Sequence, residues 1–429
     1  MSIWLVEPLD PLIARDGRPA AVGRFDTVGF PFPSMVAGAV RTRMGSPGGA
    51  FVIPRGALEE LKEKVPVQGP LLAEIAELGA EGGEVQEWLA PVPKDAAYLR
   101  EEVGKEKEKT ERTVLRRLAP RSLGPGEAMD SLSEKGLLPV AMQPHPPGPP
   151  LPSPSLPPGE GGNAISAGIL NTKPPADVPA FWAWSDFAAW LTAPADSTEE
   201  HPAPVGIDRL PVERRAHLAV QPGERVGIDG MLFETAGLRF LQEGATPLTP
   251  RRFALSLRCA EASVAGQALA LRRQIAPLGG ERRLARWSLA GKEWPELPEA
   301  VRAAIVATRR ARLILLTPAI FRHGALPGWS GGPWPLGKSS GGGVQATVRA
   351  ACVARPDVVS GWDLAKGRAK KSRRMAAAGS VYFLTLDGGS ADDLQAWCDA
   401  AWLACVSDDW EERRDGFGLA ALGTWEDAR

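Results

Sequence analysis

Apolar and polar positions alternate in short runs along most of this chain, a pattern that predicts β-strands. Between these runs, two stretches change to the three- and four-residue spacing of an amphipathic helix. The chain therefore mixes strands with few helices. The predicted strands are Ile3–Val6, His217–Val220, Phe253–Leu257, Arg312–Thr317, Val344–Val353 and Val381–Leu386.

The first helical stretch follows Pro33, where Val36, Ala39, Val40 and Met44 fall on one stripe. Ser34 is predicted as its N-cap, and Gly45 stands where it would end. The second begins at Ser390-Ala-Asp-Asp393, a capping-box pattern. A further helix is predicted over Gly266–Ile275.

Each half of the chain runs strand, helix or insertion, strands, helix, strand. This order predicts an α+β fold of two tandem ferredoxin-like (RRM-like, split βαβ) domains, at 1–305 and 306–429. The first includes a long, partly ordered insertion at about 100–205, since 101–112 is a run of mixed charge and nine of the fifteen residues of 144–158 are proline.

Charge is balanced, with 50 basic and 51 acidic residues in 429. This excludes a uniformly basic nucleic-acid binder but leaves room for a local basic groove. The N-terminus has no basic region before its short apolar run, and no run approaches the roughly 18 apolar residues of a membrane span. The sequence predicts a soluble, cytoplasmic protein.

Cysteine and histidine spacing indicates neither a metal site nor a bound cofactor. The four cysteines form no C-x-x-C pair and the four histidines are scattered. No Ser-His-Asp, H-E-x-x-H or paired-acid motif is present, so no catalytic residue is predicted. His217 and His323 keep one alternative open, as general acid or base in RNA cleavage.

Gly332–Ser339 reads G-x-x-x-x-G-K-S, the letters of a phosphate-binding P-loop. The x positions include Pro333 and Pro335, which lack an N–H, and the lysine and serine run into more serine and glycine. A P-loop needs a strand before the turn and a helix after it, and neither is predicted here. The octamer is interpreted as a flexible connection, with an ATPase as the remote alternative.

Basic residues concentrate in one segment, which is preceded by Trp362 and predicts a projecting loop or hairpin. Arg15 and Arg18 flank an Asp-Gly turn, Arg282 and Arg283 follow a diglycine, and Gly416 and Gly418 lie beside further arginines. Such glycine turns with arginines suggest a groove for a sugar-phosphate backbone. The basic residues of the segment are Lys366, Arg368, Lys370, Lys371, Arg373 and Arg374.

Several stretches in order resemble one protein family: VEPLDPLIARDGRP, PFPSMVAGAVRTR, GMLFETAGLRF, PLGGERRLA, VSGWDLAKGRAKKSRRM and GFGLAALGTW. The family is the third subunit of Cmr complexes, a RAMP (repeat-associated mysterious protein) of type III-B CRISPR effectors. One departure is Ala20, where the family's RDGRPF run has an aromatic residue.

This resemblance implies tandem ferredoxin-like domains and a non-catalytic subunit that binds the 5′ handle of the guide RNA. It implies contacts with the large polymerase-domain subunit and the adjacent backbone RAMP subunit. The alternative is a metal-independent RAMP endoribonuclease that processes repeat RNA. The RNA-binding candidates are Arg15, Arg18, Ser34, Arg41, Gly279, Gly280, Arg282, Arg283, Trp362, Lys366, Arg368, Lys370, Lys371, Arg373, Arg374, Gly416 and Gly418.

Overall fold

A computed structural model describes most of the chain. It covers residues 1–15, 24–76, 84–103, 110–121, 137–138, 140–142, 178–192, 206–221, 223–243, 250–336, 343–363 and 366–426. Arg18, the proline-rich segment and Lys338 lie outside these ranges.

Strands dominate the described chain. In the order of the sequence they are β1 (Ser2–Pro8), β2 (Arg24–Phe25), β3 (Val67–Ile75), β4 (Val85–Pro91), β5 (Ala96–Val103), β6 (Thr110–Pro120), β7 (Val140–Met142), β8 (Phe181–Ala183), β9 (Gly206–Ile207), β10 (Val212–Val220), β11 (Gly227–Leu238), β12 (Leu241–Gln242), β13 (Arg251–Cys259), β14 (Ala262–Val264), β15 (Gln267–Leu269), β16 (Gln274–Pro277), β17 (Leu284–Leu289), β18 (Arg310–Leu315), β19 (Gln345–Cys352), β20 (Asp357–Val359), β21 (Trp362–Asp363), β22 (Arg368–Ala369), β23 (Arg373–Met375), β24 (Val381–Asp387), β25 (Ala404–Cys405) and β26 (Leu419–Gly423).

The described helices are fewer and short. They are α1 (Pro33–Met44), α2 (Leu58–Lys64), α3 (Trp184–Thr192), α4 (Glu299–Thr308), α5 (Ala391–Ala401) and α6 (Trp410–Arg414). Within the ranges given above, no helix is long and apolar enough to span a membrane. The molecule is a mixed α/β protein with mostly antiparallel sheets, as the α+β class predicts.

The first sheet has nine strands, and β17, β1, β13 and β3 are neighbours at its centre. All the pairings of these four are antiparallel, with Trp4 opposite both Leu257 and Leu289. Side chains alternate between the two faces of a strand. Trp4 and Val6 therefore pack under α1, while Ile3 and Leu5 on the opposite face belong to a second core.

Helix α1 lies on the first sheet through three of the four residues of the predicted stripe, and the fourth, Ala39, is only partly buried. Val36, Val40 and Met44 are buried there, and the helix ends at Gly45 as predicted. The predicted N-cap at Ser34 is wrong, because the helix begins at Pro33 after the cap residue Phe32. Proline at the first helical position has a preset φ and lacks only an N–H that would be unsatisfied there.

The helix predicted over Gly266–Ile275 is also wrong. This region holds a hairpin of β14 and β15 with a two-residue turn at Ala265-Gly266, whose φ values are 48° and 76°. Two consecutive positive φ values define the tight turn that suits the twist of a hairpin. Val264 and Leu269 are buried by this arrangement in the core beneath α1.

The second sheet has the order β19-β24-β18-β26-β25 and is antiparallel throughout. Its strands match the apolar runs predicted in the last third of the chain. Helix α5 begins with the predicted capping box, in which Ser390 Oγ accepts from the Asp393 N–H and Asp393 accepts from the Ser390 N–H. Trp397 and Cys398 on the inner face of α5 are buried.

Ordered elements also lie inside the predicted insertion. The β5–β6 hairpin extends to Pro120, β8 joins the first sheet, and α3 packs against β4 of the first sheet and β26 of the second. Consequently the second core is continuous across both sheets, from Leu5 and Trp182 to Leu313 and Trp397.

A buried ion pair connects the two sheets inside this shared core. Arg312 on β18 pairs with Asp95, and both side chains are fully buried. Trp190 of α3 donates from Nε1 to Asp95 Oδ1 at 2.9 Å, and Arg117 lies with its guanidinium 4.0 Å from the centre of the Trp190 ring. Burial and the nearby charge of Arg312 lower the pKa of Arg117 well below its usual range.

Because both ions are withdrawn from water, removing one leaves the other uncompensated. We expect Asp95→Ala to lower the free energy of unfolding by about 3–5 kcal/mol. Denaturant titration followed by tryptophan fluorescence measures this. Asp399→Ala, which removes an exposed partner of Arg302, should cost about 1 kcal/mol or less. Equal effects of the two substitutions would contradict the account.

Candidate nucleic-acid interface

Helix α1 and two segments that are distant from it in the sequence form a groove of about 710 Å³. The two segments are the diglycine turn (278–283) and the basic hairpin (357–375, strands β20 to β23), and both lie along one side of the helix. We call this cleft the α1 groove. Its polar and charged lining residues are Arg15, Ser34, Thr42, Arg43, Glu281, Arg282, Ser360 and Lys370.

The helix contributes a face beside its buried stripe. Met35, Ala39, Thr42 and Arg43 line the groove, at the spacing that places side chains on one side of a helix. Arg43 is absent from the sequence-predicted set, since a single arginine on a helix resembles an ordinary surface residue. Ala39, which the sequence predicts on the buried stripe, is only partly buried and lines the groove one turn before Arg43.

The diglycine turn reaches the groove because its backbone lies against residue 13. A Cβ at Gly279 would stand 2.7 Å from the Ile13 carbonyl oxygen, and the Gly280 N–H donates to that oxygen at 2.8 Å. Glu281 and Arg282 then adopt left-handed conformations, with φ of 54° and 53°. Such strained backbone is enriched at binding sites, and here Arg282 is exposed in the groove.

The basic segment is a hairpin, as the sequence predicts. Strands β20 and β23 pair through Val358 and Arg374, and β21 pairs with β22 nearer the tip. The Lys370 N–H donates to the Gly361 carbonyl at 2.8 Å, which closes the hairpin beside Trp362. Trp362 is 62% exposed and lines the groove together with Lys370.

Asp415 ties the hairpin to the helix. Its carboxylate forms a buried ion pair with Arg41 of α1, and Lys370 Nζ lies 3.5 Å from its other oxygen. Arg41 also donates to the carbonyl oxygens of Val65 at 3.1 Å and Arg414 at 2.8 Å. Arg41 is therefore occupied by the protein itself, and its geometry is that of a residue that positions the groove.

The glycines near the C-terminus are buried rather than presented to a ligand. Gly416 has φ of 94°, and a Cβ there would stand 2.4 Å from the Gly69 carbonyl oxygen of β3. Gly418 has φ of 82°, and its Cβ would meet the Ser407 amide at 2.8 Å. The geometry thus gives no support to RNA contact at Gly416 or Gly418. Close approach between backbones explains why glycine occupies both positions.

The predicted candidates divide by location. Arg283 pairs with Glu281 at 3.0 Å, and Arg373 pairs with Glu412. Lys366 lies 3.7 Å from Asp363 near the tip of the hairpin. Arg368, Lys371 and Arg374 are exposed on the hairpin but do not line the groove. The candidates that the structure brings together in the groove are Arg15, Ser34, Gly279, Gly280, Arg282, Trp362 and Lys370.

Neither histidine considered for catalysis lies in the α1 groove. His217 stacks on Phe233 with ring centres 5.0 Å apart, and its Nε2 lies 2.8 Å from Thr235 Oγ1. His323 is exposed in an isolated bridge with Leu326. Among the residues that the structure describes, no cluster of His, Cys, Asp or Glu could hold a metal ion.

Of the P-loop octamer, the structure describes residues 332–336. Trp334 is buried, with its ring centre 4.8 Å from that of Trp329 and 5.1 Å from that of Trp397. The lysine and serine of the octamer and the residues up to 342 lie outside the described ranges.

Residues 4–425 match the sequence model of a family of CRISPR-associated proteins. That family is Cas_Cmr3, and the chain belongs to it, which confirms the resemblance of the motifs. No curated protein matches the sequence.

The solved structures that are similar to the chain include two of one type of complex. Both are chains of cryo-EM structures of the type III-B Cmr-beta complex bound to cognate target RNA, one of them also with AMPPnP. Each is 12% identical and covers 89% of this chain and 86% of its own, with TM-scores of 0.39 and 0.40. This likeness is too distant to assign a residue or a role.

The burial of Gly416 predicts a structural phenotype. Gly416→Ala should lower the free energy of unfolding by about 1–3 kcal/mol, because it adds strain at a positive φ and a clash with β3. Thermal denaturation measures the loss. Gly48→Ala is the matched control, since nothing lies within 4 Å of its added Cβ and its φ is ordinary. An unchanged melting temperature together with weakened RNA binding would instead indicate that Gly416 contacts RNA.

Proposed function

We propose that the protein is the subunit of a type III-B Cmr effector complex that binds the 5′ handle of the guide RNA. Membership of the Cas_Cmr3 family supports the complex. The observation that carries the RNA-binding role is the charge of the α1 groove. Arg15, Arg43, Arg282 and Lys370 line it, with Glu281 as the carboxylate of the lining and Asp415 facing Lys370 from behind, in a chain whose net charge is −1.

The lining of the groove suits a single RNA strand better than a duplex. Single-stranded sites combine a cationic path for phosphates with exposed aromatic rings for bases. Trp362 supplies such a ring in the groove that Lys370 also lines, and the hydroxyls of Ser34 and Thr42 add polar groups to the same lining. Phosphate contacts of this kind fix the register of the strand without reading its sequence.

The strand order supports the tandem ferredoxin-like arrangement. In a split βαβ unit the first and third strands are central, with the fourth beside the first and the second beside the third. The set β17-β1-β13-β3 has this order, and so does β26-β18-β24-β19. We propose that both sheets are such units, with the β14–β15 hairpin and the segment 316–344 replacing one helix in each.

Exposed apolar side chains support contacts with neighbouring subunits. The β10–β11 ribbon leaves Leu218, Val226, Met231 and Leu232 between 51% and 65% exposed. A concentration of apolar surface on one element marks an interaction site in soluble proteins. The proposed neighbours are the large polymerase-domain subunit and the adjacent backbone RAMP subunit, within a cytoplasmic ribonucleoprotein.

Removal of single groove cations tests the RNA site. Arg15→Ala, Arg43→Ala and Arg282→Ala should each weaken binding of an RNA that carries the host's repeat-derived handle. Because each substitution removes a phosphate contact, the slope of log K against log salt should fall by about 0.7. Fluorescence anisotropy across a salt series measures both effects. Arg302→Ala, on α4 outside the groove, is the control, and equal loss in that variant would refute the assignment.

The proposed subunit is non-catalytic, and a cleavage assay separates this from the ribonuclease alternative. Repeat RNA incubated with the protein in EDTA should remain intact at high protein concentration. Cleavage that disappears in His217→Ala or His323→Ala would instead establish a metal-independent ribonuclease.

A further inference from the structure

The first sheet is uncovered over part of the face that lies opposite α1. The second core covers this face as far as the row of Leu5 and Ser256, where Trp294 donates from Nε1 to Ser256 Oγ at 2.8 Å. Beyond that row, exposed side chains continue on β16, β17 and β1. Since every second residue of a strand faces the same side, the register of these strands shows which side chains share the uncovered part.

Two rows of side chains form this uncovered part, which we call the back face. In the first row, Arg286 of β17 stands between Ile275 of β16 and Glu7 of β1. In the second row, Leu284 of β17 lies beside Leu9, whose N–H donates to the Leu284 carbonyl at 2.9 Å. The back face therefore combines aliphatic side chains with charged ones.

The aliphatic side chains of the back face are exposed as a group. Ile275 is 57% exposed, Leu9 is 44% exposed and Leu284 is 42% exposed. The next residue of β17, Ala285, is fully buried on the α1 side of the same sheet. A group of exposed apolar side chains on one face marks an interaction site in soluble proteins.

Two arginines supply the charge that an approaching molecule would meet. Arg286 and Arg252 of β13 lie on either side of the buried Glu7, at 4.0 and 3.8 Å from its carboxylate oxygens. These distances exceed those of hydrogen bonds, and among the described residues no hydrogen bond reaches Glu7 Oε2. The side chains of the two arginines are 35% and 33% exposed, so guanidinium groups and not the carboxylate face the solvent.

Both acidic residues near the back face are engaged by the protein itself. Burial raises the pKa of Glu7 despite the charges of Arg286 and Arg252. Asp10, at the end of the second row, accepts from the Leu284 N–H at 3.3 Å. The charge that the face presents is therefore mainly positive, and its complement is a surface with carboxylates.

We infer that the back face is a docking surface for a neighbouring protein subunit whose own surface is apolar and bordered by carboxylates. The three exposed aliphatic side chains pack against the apolar part. Arg286 and Arg252 pair with the carboxylates of the partner while Glu7 stays beneath them. Arginine beside aliphatic groups suits a protein partner, whereas single-stranded RNA sites offer aromatic rings to the bases. This inference rests on the proposed place of the chain in a Cmr complex, and it adds a surface and a partner chemistry to that proposal.

The test measures binding of the full-length protein to two purified subunits of the host, the large polymerase-domain subunit and the backbone RAMP subunit, by bio-layer interferometry. Leu284→Glu places a carboxylate among the docked side chains and should weaken binding of one subunit about ten-fold. Arg286→Ala should weaken the same binding and reduce its dependence on salt. Leu289→Glu is the matched control, since Leu289 is 39% exposed on the same strand but stands opposite Trp4 on the α1 side. It should change neither affinity.

Chemical labelling extends the test to the unmutated protein. Modification of Arg286 by phenylglyoxal, followed by mass spectrometry, should slow when that subunit is bound and stay unchanged when handle RNA is bound. Equal losses in Leu284→Glu and Leu289→Glu, or full binding of both subunits by Leu284→Glu, would overturn the back face as a docking surface. Protection of Arg286 by RNA alone would overturn the protein partner. Failure of the wild-type protein to bind either subunit would refute the proposed subunit contacts together with this inference, even if handle RNA still binds the α1 groove.

Discussion

The ion pair between Asp415 and Arg41 holds together the part of the molecule on which the proposed function depends. Asp415 follows α6, Arg41 lies on α1, and Lys370 of the basic hairpin faces the same carboxylate. Three segments from separate parts of the chain thus converge on one buried charge. Breaking such a pair leaves an uncompensated ion in the protein interior, so the arrangement strongly favours a single geometry. The close approach of Gly416 to β3 fixes the same segment from the other side.

The arginines of this region therefore have two different roles. Arg41 and Arg373 pair with carboxylates of the C-terminal segment and set the positions of the walls. Arg282 and Arg43 point into the cleft that those walls enclose. Backbone geometry assists this division, because the left-handed pair Glu281 and Arg282 turns one arginine into the groove while Arg283 pairs back onto Glu281. The groove cations repel one another, so ion pairs within the protein are needed to hold the walls that carry them in place.

Sequence patterns predict the strands well because a buried apolar run leaves few alternatives, as in β18 and β24. Sequence patterns also identify Arg15, the diglycine turn and Trp362 as candidates for one groove, because glycine turns and basic residues are neighbours in the sequence there. The errors have local causes. Pro33 displaced the cap predicted at Ser34, and the Ala265-Gly266 turn interrupts what resembles a helix. RNA contact at Arg41, Gly416 and Gly418 stays a prediction. The burial of these residues could not be read from the sequence, because a residue type alone does not show whether a charge or a glycine faces a ligand or another part of the chain.

The buried pair of Asp95 and Arg312 has a consequence for the order in which the chain matures during synthesis. Asp95 and Trp190 leave the ribosome well before Arg312, which stands 217 residues after Asp95. Until then Asp95 lacks Arg312, the partner of its buried ion pair, so full burial of that carboxylate is less favourable. The first sheet can complete its strands once β17 is made, but the core that it shares with the second sheet can close only after β18 is made. Completion of the fold is thereby delayed until both halves are present.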